Sequence, residues 1–194
     1  DIVLNTHLHS DHCGGNTRRE GERLLLTFPR AESWVQGEEW EDALRPNERT
    51  QTTYLAENFV PVQEAGRFRF LEGDTSVTAE VRCMLTPGHT RAHQSIVIES
   101  GGQTAIYLAD LSPWAVHLER LAWIPAYDLE PLVTLETKRS LREWAQRTNA
   151  LLFFEHDPRI AAGYLRPADK EFVIEPLSLG SAQVGPDSAL GKSK

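Results

Sequence analysis

Short β-branched and aromatic runs, rather than long amphipathic stretches, dominate the apolar pattern of this chain. Ile2-Val3-Leu4 has the form of a brief buried strand, and Gly14-Gly15-Asn16 downstream supplies a turn. Comparable runs predict strands over 23–27, 32–36, 67–71, 81–86, 95–99, 104–109, 151–155 and 171–175. Helical spacing is rarer. It predicts helices over 38–44, over 50–65 with an interruption near Pro61, and over 132–149, where Leu135, Leu141 and Trp144 share one face. Many short strands with few helices, and no regular alternation of the two, predict a layered α/β fold with mixed or mostly antiparallel sheets. No internal repeat is present. The stretch 180–194, rich in Gly, Ser, Ala and Lys, is expected to be a disordered tail on a single domain over 1–179.

The chain starts at Asp1 directly on an apolar run, so further strands or a leader are expected to precede it. Without them the strand at 2–4 has an open edge, and association with a second copy is then expected. A length of 194 residues with 40% apolar content is enough to build a real core. With 28 acidic against 20 basic residues, the net charge of -8 offers no footprint for a nucleic-acid backbone. No apolar run approaches the ~18 residues of a membrane span. Cys13 and Cys83 make no disulfide framework, which is compatible with a reducing, cytoplasmic setting.

Candidate chemistry begins at residue 7. In extended backbone, side chains at i and i+2 point to one side, so His7 and His9 present two imidazoles to one place. Asp11 keeps that parity and His12 breaks it, which requires a turn that Gly14 and Gly15 permit. A lone histidine usually has no ligand role, but nothing structural selects three histidines and an aspartate within six positions. Imidazole with carboxylate suits zinc and also accepts manganese or iron.

The run His7-Leu8-His9-Ser10-Asp11-His12 resembles the H-x-H-x-D-H signature of the metallo-beta-lactamase superfamily. Thr86-Pro87-Gly88-His89-Thr90, Leu108-Ala109-Asp110 and Glu155-His156 then follow in the order of that family, each at the end of a predicted strand, so the resemblance spans Thr6 to His156. It implies an αββα sandwich with mixed sheets, incomplete at its N-terminus. It also implies two divalent metal ions, zinc first and manganese or iron as alternatives: His7, His9 and His89 on one, Asp11, His12 and His156 on the other, and Asp110 bridging both. The implied reaction is hydrolysis by a metal-bridging hydroxide, with Asp110 and Asp11 catalytic and Asp11 handling the leaving-group proton. His93 matches the second histidine of the P-G-H-T-x-x-H stretch, usually a supporting residue, and His117 reads as ordinary.

Asp110 stands where beta-lactam-cleaving members carry cysteine, and Pro113 stands where lactone-hydrolysing relatives often carry tyrosine. Aromatic residues suggest the pocket. Trp34, Trp40, Tyr54 and Phe59 precede His89, and Trp114, Trp123 and Tyr127 follow Asp110 in a proline-containing stretch that reads as a pocket-lining loop. The expected substrate is a small, largely apolar ester, lactone or phosphotriester. The alternatives are a catalytically silent metal-binding scaffold or sensor, and beta-lactam or thioester hydrolysis.

Overall fold

The computed structural model describes residues 1–169 and 171–177. The chain runs β1 (Ile2–Leu4), α1 (Ser10–Cys13), β2 (Thr17–Glu20), β3 (Arg23–Leu26), β4 (Glu32–Gln36), α2 (Gly37–Leu44), α3 (Val60–Glu64), β5 (Phe68–Leu71), β6 (Thr75–Ser76), β7 (Val81–Leu85), β8 (Gln94–Ser100), β9 (Gln103–Tyr107), α4 (Ala115–Glu119), α5 (Pro131–Thr148), β10 (Leu151–Phe153), β11 (Ala162–Ala168) and β12 (Glu171–Pro176). One sheet has the order β1-β4-β5 and is parallel throughout. The other has the order β12-β11-β10-β9-β8-β7-β6 and is antiparallel except between β9 and β10. β2 and β3 form a separate hairpin.

Neighbouring residues on a strand face opposite ways, and this alternation builds the layers. On β4, Trp34 joins Leu71, Cys83 and Ile96 between the two sheets, while Val35 joins Leu8, Ala43, Tyr54 and Phe59 beneath α2 and α3. On β8, Ile96 faces the inter-sheet layer, and Val97 joins Leu141 and Ala145 of α5 on the outer side. The result is helix, three-stranded sheet, seven-stranded sheet, helix: an αββα sandwich. β1 borders its sheet and pairs only with β4 among the described residues.

Three expectations need correction. The helix over 50–65 is replaced by turns, a short 3-10 segment at Ala56–Asn58 and α3. Pro61 lies in the first turn of α3, where its missing N–H forfeits no helical bond, so it starts a helix rather than interrupting one. Strand β11 has no counterpart among the expected strands, and its Pro167 is a residue that argues against a strand interior. It is accommodated because β10 covers β11 only from Ala162 to Tyr164, leaving one side of Pro167 unpaired. The polar strand β2 has no apolar alternation to reveal it. The expected tail over 180–194 lies outside the described residues, and among those described no helix is long and apolar enough to cross a membrane.

One topological fact places the site. β7 and β9 each run antiparallel to β8, and β10 runs parallel to β9, so β7, β9 and β10 end at the same rim. The segment leaving β1 is fastened to that rim: Gln94 N–H donates to Thr6 O at 3.0 Å, and Gln94 Nε2 donates to Asn5 O at 2.9 Å.

Candidate metal centre

The histidine run makes its turn earlier than the glycines suggest. His9 is still extended (φ -63, ψ 149), and α1 begins at the next residue, so His7 and His9 project from extended chain while Asp11 and His12 project from a single helical turn. Gly14 is ordinary right-handed backbone. The glycine that matters is Gly88, at φ +135, where a Cβ would collide with Thr134. That close approach seats the His89 loop on the start of α5, an attachment completed by Leu129 N–H to His89 O (3.0 Å) and Glu130 N–H to Gly88 O (2.9 Å). Asp110 follows Ala109, a buried non-glycine residue at φ 48. Such backbone costs on the order of 1 kcal/mol and persists where the surroundings impose it.

Asp110 is the hub. Its Oδ2 lies 3.8 Å from His7 Nε2, 3.1 Å from His89 Nε2 and 3.3 Å from His12 Nε2, and its Oδ1 lies 3.2 Å from His156 Nε2. His89 Nε2 is 3.1 Å from His9 Nδ1, and His156 Nε2 is 3.5 Å from His12 Nε2. Two sets of potential ligand atoms result, each within 4.8 Å of one another: His7, His9, His89 and Asp110, and His12, Asp110, Glu155 and His156. Asp110 belongs to both. Asp11 falls outside these compact sets; its Oδ2 is 3.5 Å from His12 Nε2 and 3.8 Å from His156 Nε2, and its side chain is 61% exposed.

Several of these atoms are short of partners. His7 Nε2, His9 Nε2 and Asp110 Oδ1 are buried without a hydrogen bond among the described residues. An orphaned buried polar atom costs about 1–3 kcal/mol, and a cation at the centre of converging lone pairs removes that cost. The residues therefore fit a metal ion.

The electrostatics point the same way. Burial, reinforced by the neighbouring imidazoles, lowers His7 and takes His9 down to about 4, so both are neutral and able to ligate near pH 7. Burial opposes charge on His89, but hydrogen bonds to Asp110 and Asp128 prevail and raise it to about 9. His12 is also raised against burial, by Asp110 and then Glu155. Burial would raise Asp110, yet hydrogen bonds from His12 and His89 hold it well below the usual carboxylate range. Without an ion, the cluster is thus stabilised by protons that an ion would displace.

A shell of supporting residues, of which sequence reasoning anticipated only His93, holds the ligands. Asp128 Oδ1 is 3.0 Å from His89 Nδ1, and its Oδ2 accepts from Thr134 Oγ1 at 2.6 Å. Glu39 is fully buried and accepts from Leu8 N–H (2.9 Å), Tyr54 Oη (3.0 Å) and Thr90 Oγ1 (2.6 Å), tying the His7–His9 segment to the His89 loop. Thr6 Oγ1 lies 3.1 Å from His7 Nδ1, and Glu155 Oε1 lies 3.3 Å from His12 Nδ1. His93 donates from Nδ1 to Thr86 O at 3.2 Å, behind His7. Of these, His93 is the supporting residue expected from the P-G-H-T-x-x-H stretch, and Glu155 could have been found through its place beside His156.

A cleft of about 870 Å³ opens above the cluster, reached by His9, Asp11, His89, Asp110 and His156. Trp114 and Tyr127 line it, with Pro113, Pro125 and Leu129. Trp123 does not line it, although its ring is exposed; its carbonyl instead accepts from Lys138 Nζ at 2.6 Å. His117, which sequence reasoning left aside, does line it. Trp34, Tyr54 and Phe59 are buried in the cores, and Trp40 packs against the cluster that contains Tyr54 and Phe59.

Comparison with known proteins adds a family context. A family model described as a beta-lactamase superfamily domain matches residues 1–130. An N-acyl homoserine lactonase from Bacillus thuringiensis is 30% identical over 156 residues, covering 80% of this chain and 55% of that protein. The chain therefore spans about half the length of this relative. Among solved structures, a probable metal-dependent hydrolase from Staphylococcus aureus superposes with a TM-score of 0.77 at 27% identity, over 91% of this chain and 63% of that one. An N-acyl homoserine lactone hydrolase with N-hexanoyl-L-homoserine bound at its catalytic metal centre superposes with a TM-score of 0.66 at 29% identity, over 81% of this chain and 56% of that one.

Proposed function

The chain belongs to the metallo-beta-lactamase superfamily, and on that premise we propose that it is a hydrolase of small, largely apolar esters, with lactones foremost, holding two divalent cations of which zinc is the leading choice. The observation that carries this reading is the pair of ligand sets sharing Asp110 at the floor of an aromatic-walled cleft. The similarity to lactonases favours a lactone over a phosphotriester.

His7, His9, His89 and Asp110 would hold one ion. His12, His156 and the same Asp110 would hold the other, with Asp11 and Glu155 both within reach of it. When bound, such a pair supplies Lewis acidity toward a substrate oxygen and water that ionises near neutral pH. The chain supplies orientation. Asp128 accepts the Nδ1 proton of His89 and so directs Nε2 inward, and Thr6 does the same for His7. Asp11 is the exposed carboxylate beside the cluster, and its Oδ2 would take up the proton released as water attacks and return it to the departing alkoxide. Trp114, Tyr127 and Leu129 offer apolar surface to an acyl chain and keep bulk water away from the ester.

The test is metal analysis of the gently purified protein, joined to a panel of lactones, aryl esters, thioesters, phosphotriesters and beta-lactams. Close to two transition-metal ions per chain with turnover strongest on lactones or esters is expected. A fully loaded protein silent on the whole panel refutes the reading and favours a binding role.

A further inference from the structure

His117 is held in a fixed relation to the metal-ligand cluster. The chain runs from Asp110 directly through Ser112 to α4, where Ser112 Oγ donates to Trp114 O at 3.2 Å. Ala115 N–H donates at 3.0 Å to Oδ2 of Asp157, the residue after His156, so α4 is fastened to two ligand-bearing segments at once. The His117 ring lies nearly parallel to Trp114, with centroids 6.0 Å apart and an interplanar angle of 25°, and it forms part of the cleft wall.

The two ring nitrogens have different surroundings. Nδ1 is buried with no hydrogen-bond partner among the described residues. Nε2 also lacks a partner among them, but it is not closed to solvent. Burying an unpaired N–H is costly, so the proton belongs on Nε2, where it can be satisfied, and the lone pair stays on Nδ1. Burial and the nearby Lys138 ammonium lower the imidazole's proton affinity and keep it uncharged. A neutral N–H donor consequently belongs to the wall of a cleft that it shares with apolar Trp114, Pro125 and Leu129 and with polar Arg49, Thr52 and Thr53.

We propose that His117 is a further catalytic residue of this cleft, donating its Nε2–H as a hydrogen bond to an oxygen of the bound ester or lactone as charge develops on that oxygen. The role rests on the hydrolase reading given above. It involves no proton transfer and no covalent step, only a donor on the cleft wall offered to an oxygen on which negative charge grows.

The variants His117→Phe and His117→Gln separate donor from shape. Phenylalanine keeps the ring against Trp114 but removes both nitrogens, and glutamine keeps an N–H donor. With metal content matched to the parent, His117→Phe is expected to lower kcat on γ-decalactone by about tenfold with KM within about twofold, and His117→Gln to recover part of the loss. Unchanged kcat in the phenylalanine variant overturns the proposal while leaving the hydrolase reading intact. A second measurement does not depend on turnover: nitrogen NMR of the metal-loaded protein should find the Nε2–H tautomer, with that resonance shifting on addition of the ring-opened hydroxy acid. An Nδ1–H tautomer, or a resonance indifferent to the hydroxy acid, overturns it even if the protein hydrolyses nothing on the panel.

Discussion

Removing the Asp128 carboxylate isolates what orientation of a single histidine contributes. Asp128 is almost fully buried, and its two oxygens serve His89 Nδ1 at 3.0 Å and Thr134 Oγ1 at 2.6 Å. In Asp128→Ala both donors lose this acceptor. Thr134 retains a weak alternative, Glu130 O at 3.4 Å, whereas His89 Nδ1 has no other hydrogen bond among the described residues. One fully orphaned donor at about 1–3 kcal/mol and one partly compensated donor at about 1 kcal/mol give a stability loss of about 2–4 kcal/mol. Freeing the ring also loosens Nε2, and loss of such a partner typically weakens metal affinity by about 10–100-fold. Asp128→Asn keeps an acceptor oxygen but loses the charge, so it belongs at the low end of both ranges. Chelator competition for zinc and urea unfolding of the metal-free protein provide the two readouts. An alanine variant that binds metal within about threefold of the parent would falsify the claim that Asp128 directs His89.

Asp110→Ala is expected to lower hydrolysis at least about 100-fold while far-UV circular dichroism stays native, since Asp110 alone belongs to both ligand sets; retained turnover removes it from the mechanism. Lys138, buried on α5, donates to Leu121 O at 2.9 Å and Trp123 O at 2.6 Å, so Lys138→Met should free the loop that carries Tyr127 and raise KM for long acyl chains more than for short ones. A uniform effect across chain length speaks against a loop-holding role. Stripping the metal should lower the melting temperature, and zinc should restore it in a concentration-dependent manner; a melting point indifferent to zinc contradicts binding at the cluster. The metal-free protein should also have a stability optimum near pH 6.5. His9 has a folded value of about 4 against about 6.5 unfolded, so its contribution is complete above 6.5 and lost as pH falls through 4; Asp110, also depressed, acts in the same direction at lower pH. His89, raised to about 9, contributes fully below 6.5 and loses its contribution as pH rises through 9. Unfolding that is flat from pH 4.5 to 9 contradicts these assignments.

The parts of the site that were legible in the sequence are those whose chemistry is local. His7 and His9 declare themselves by two-residue spacing, and His89, Asp110 and His156 lie just past strand-like apolar runs, at the rim where β7, β9 and β10 end. What was not legible depends on contacts between distant residues. Glu39 meets Leu8 across 31 positions, and Asp128 meets His89 across 39, with no pattern near either acid to announce it. The same limit explains Trp123 and His117: the stretch between Asp110 and Asp128 reads as a loop, but which of its side chains face the cleft is set by the short turn of α4 and by Lys138 reaching in from α5. In the fold, the apolar pattern located the strands with strong β-branched or aromatic character. It missed β11, where the cost of a proline is avoided because the neighbouring strand is short.

The rim gathers residues from far apart along the chain: His9 meets His89 across 80 positions, and His12 meets His156 across 144. An ion gripped at both ends closes loops of those sizes, each of which costs a free chain about 4 kcal/mol in closure entropy. The cluster therefore acts as a reversible cross-link between the two sheets, forming after the strands that carry its halves have already met. Metal should then slow unfolding far more than it speeds folding, and the loaded protein should outlast the stripped one under protease by a larger factor than its refolding rate would suggest.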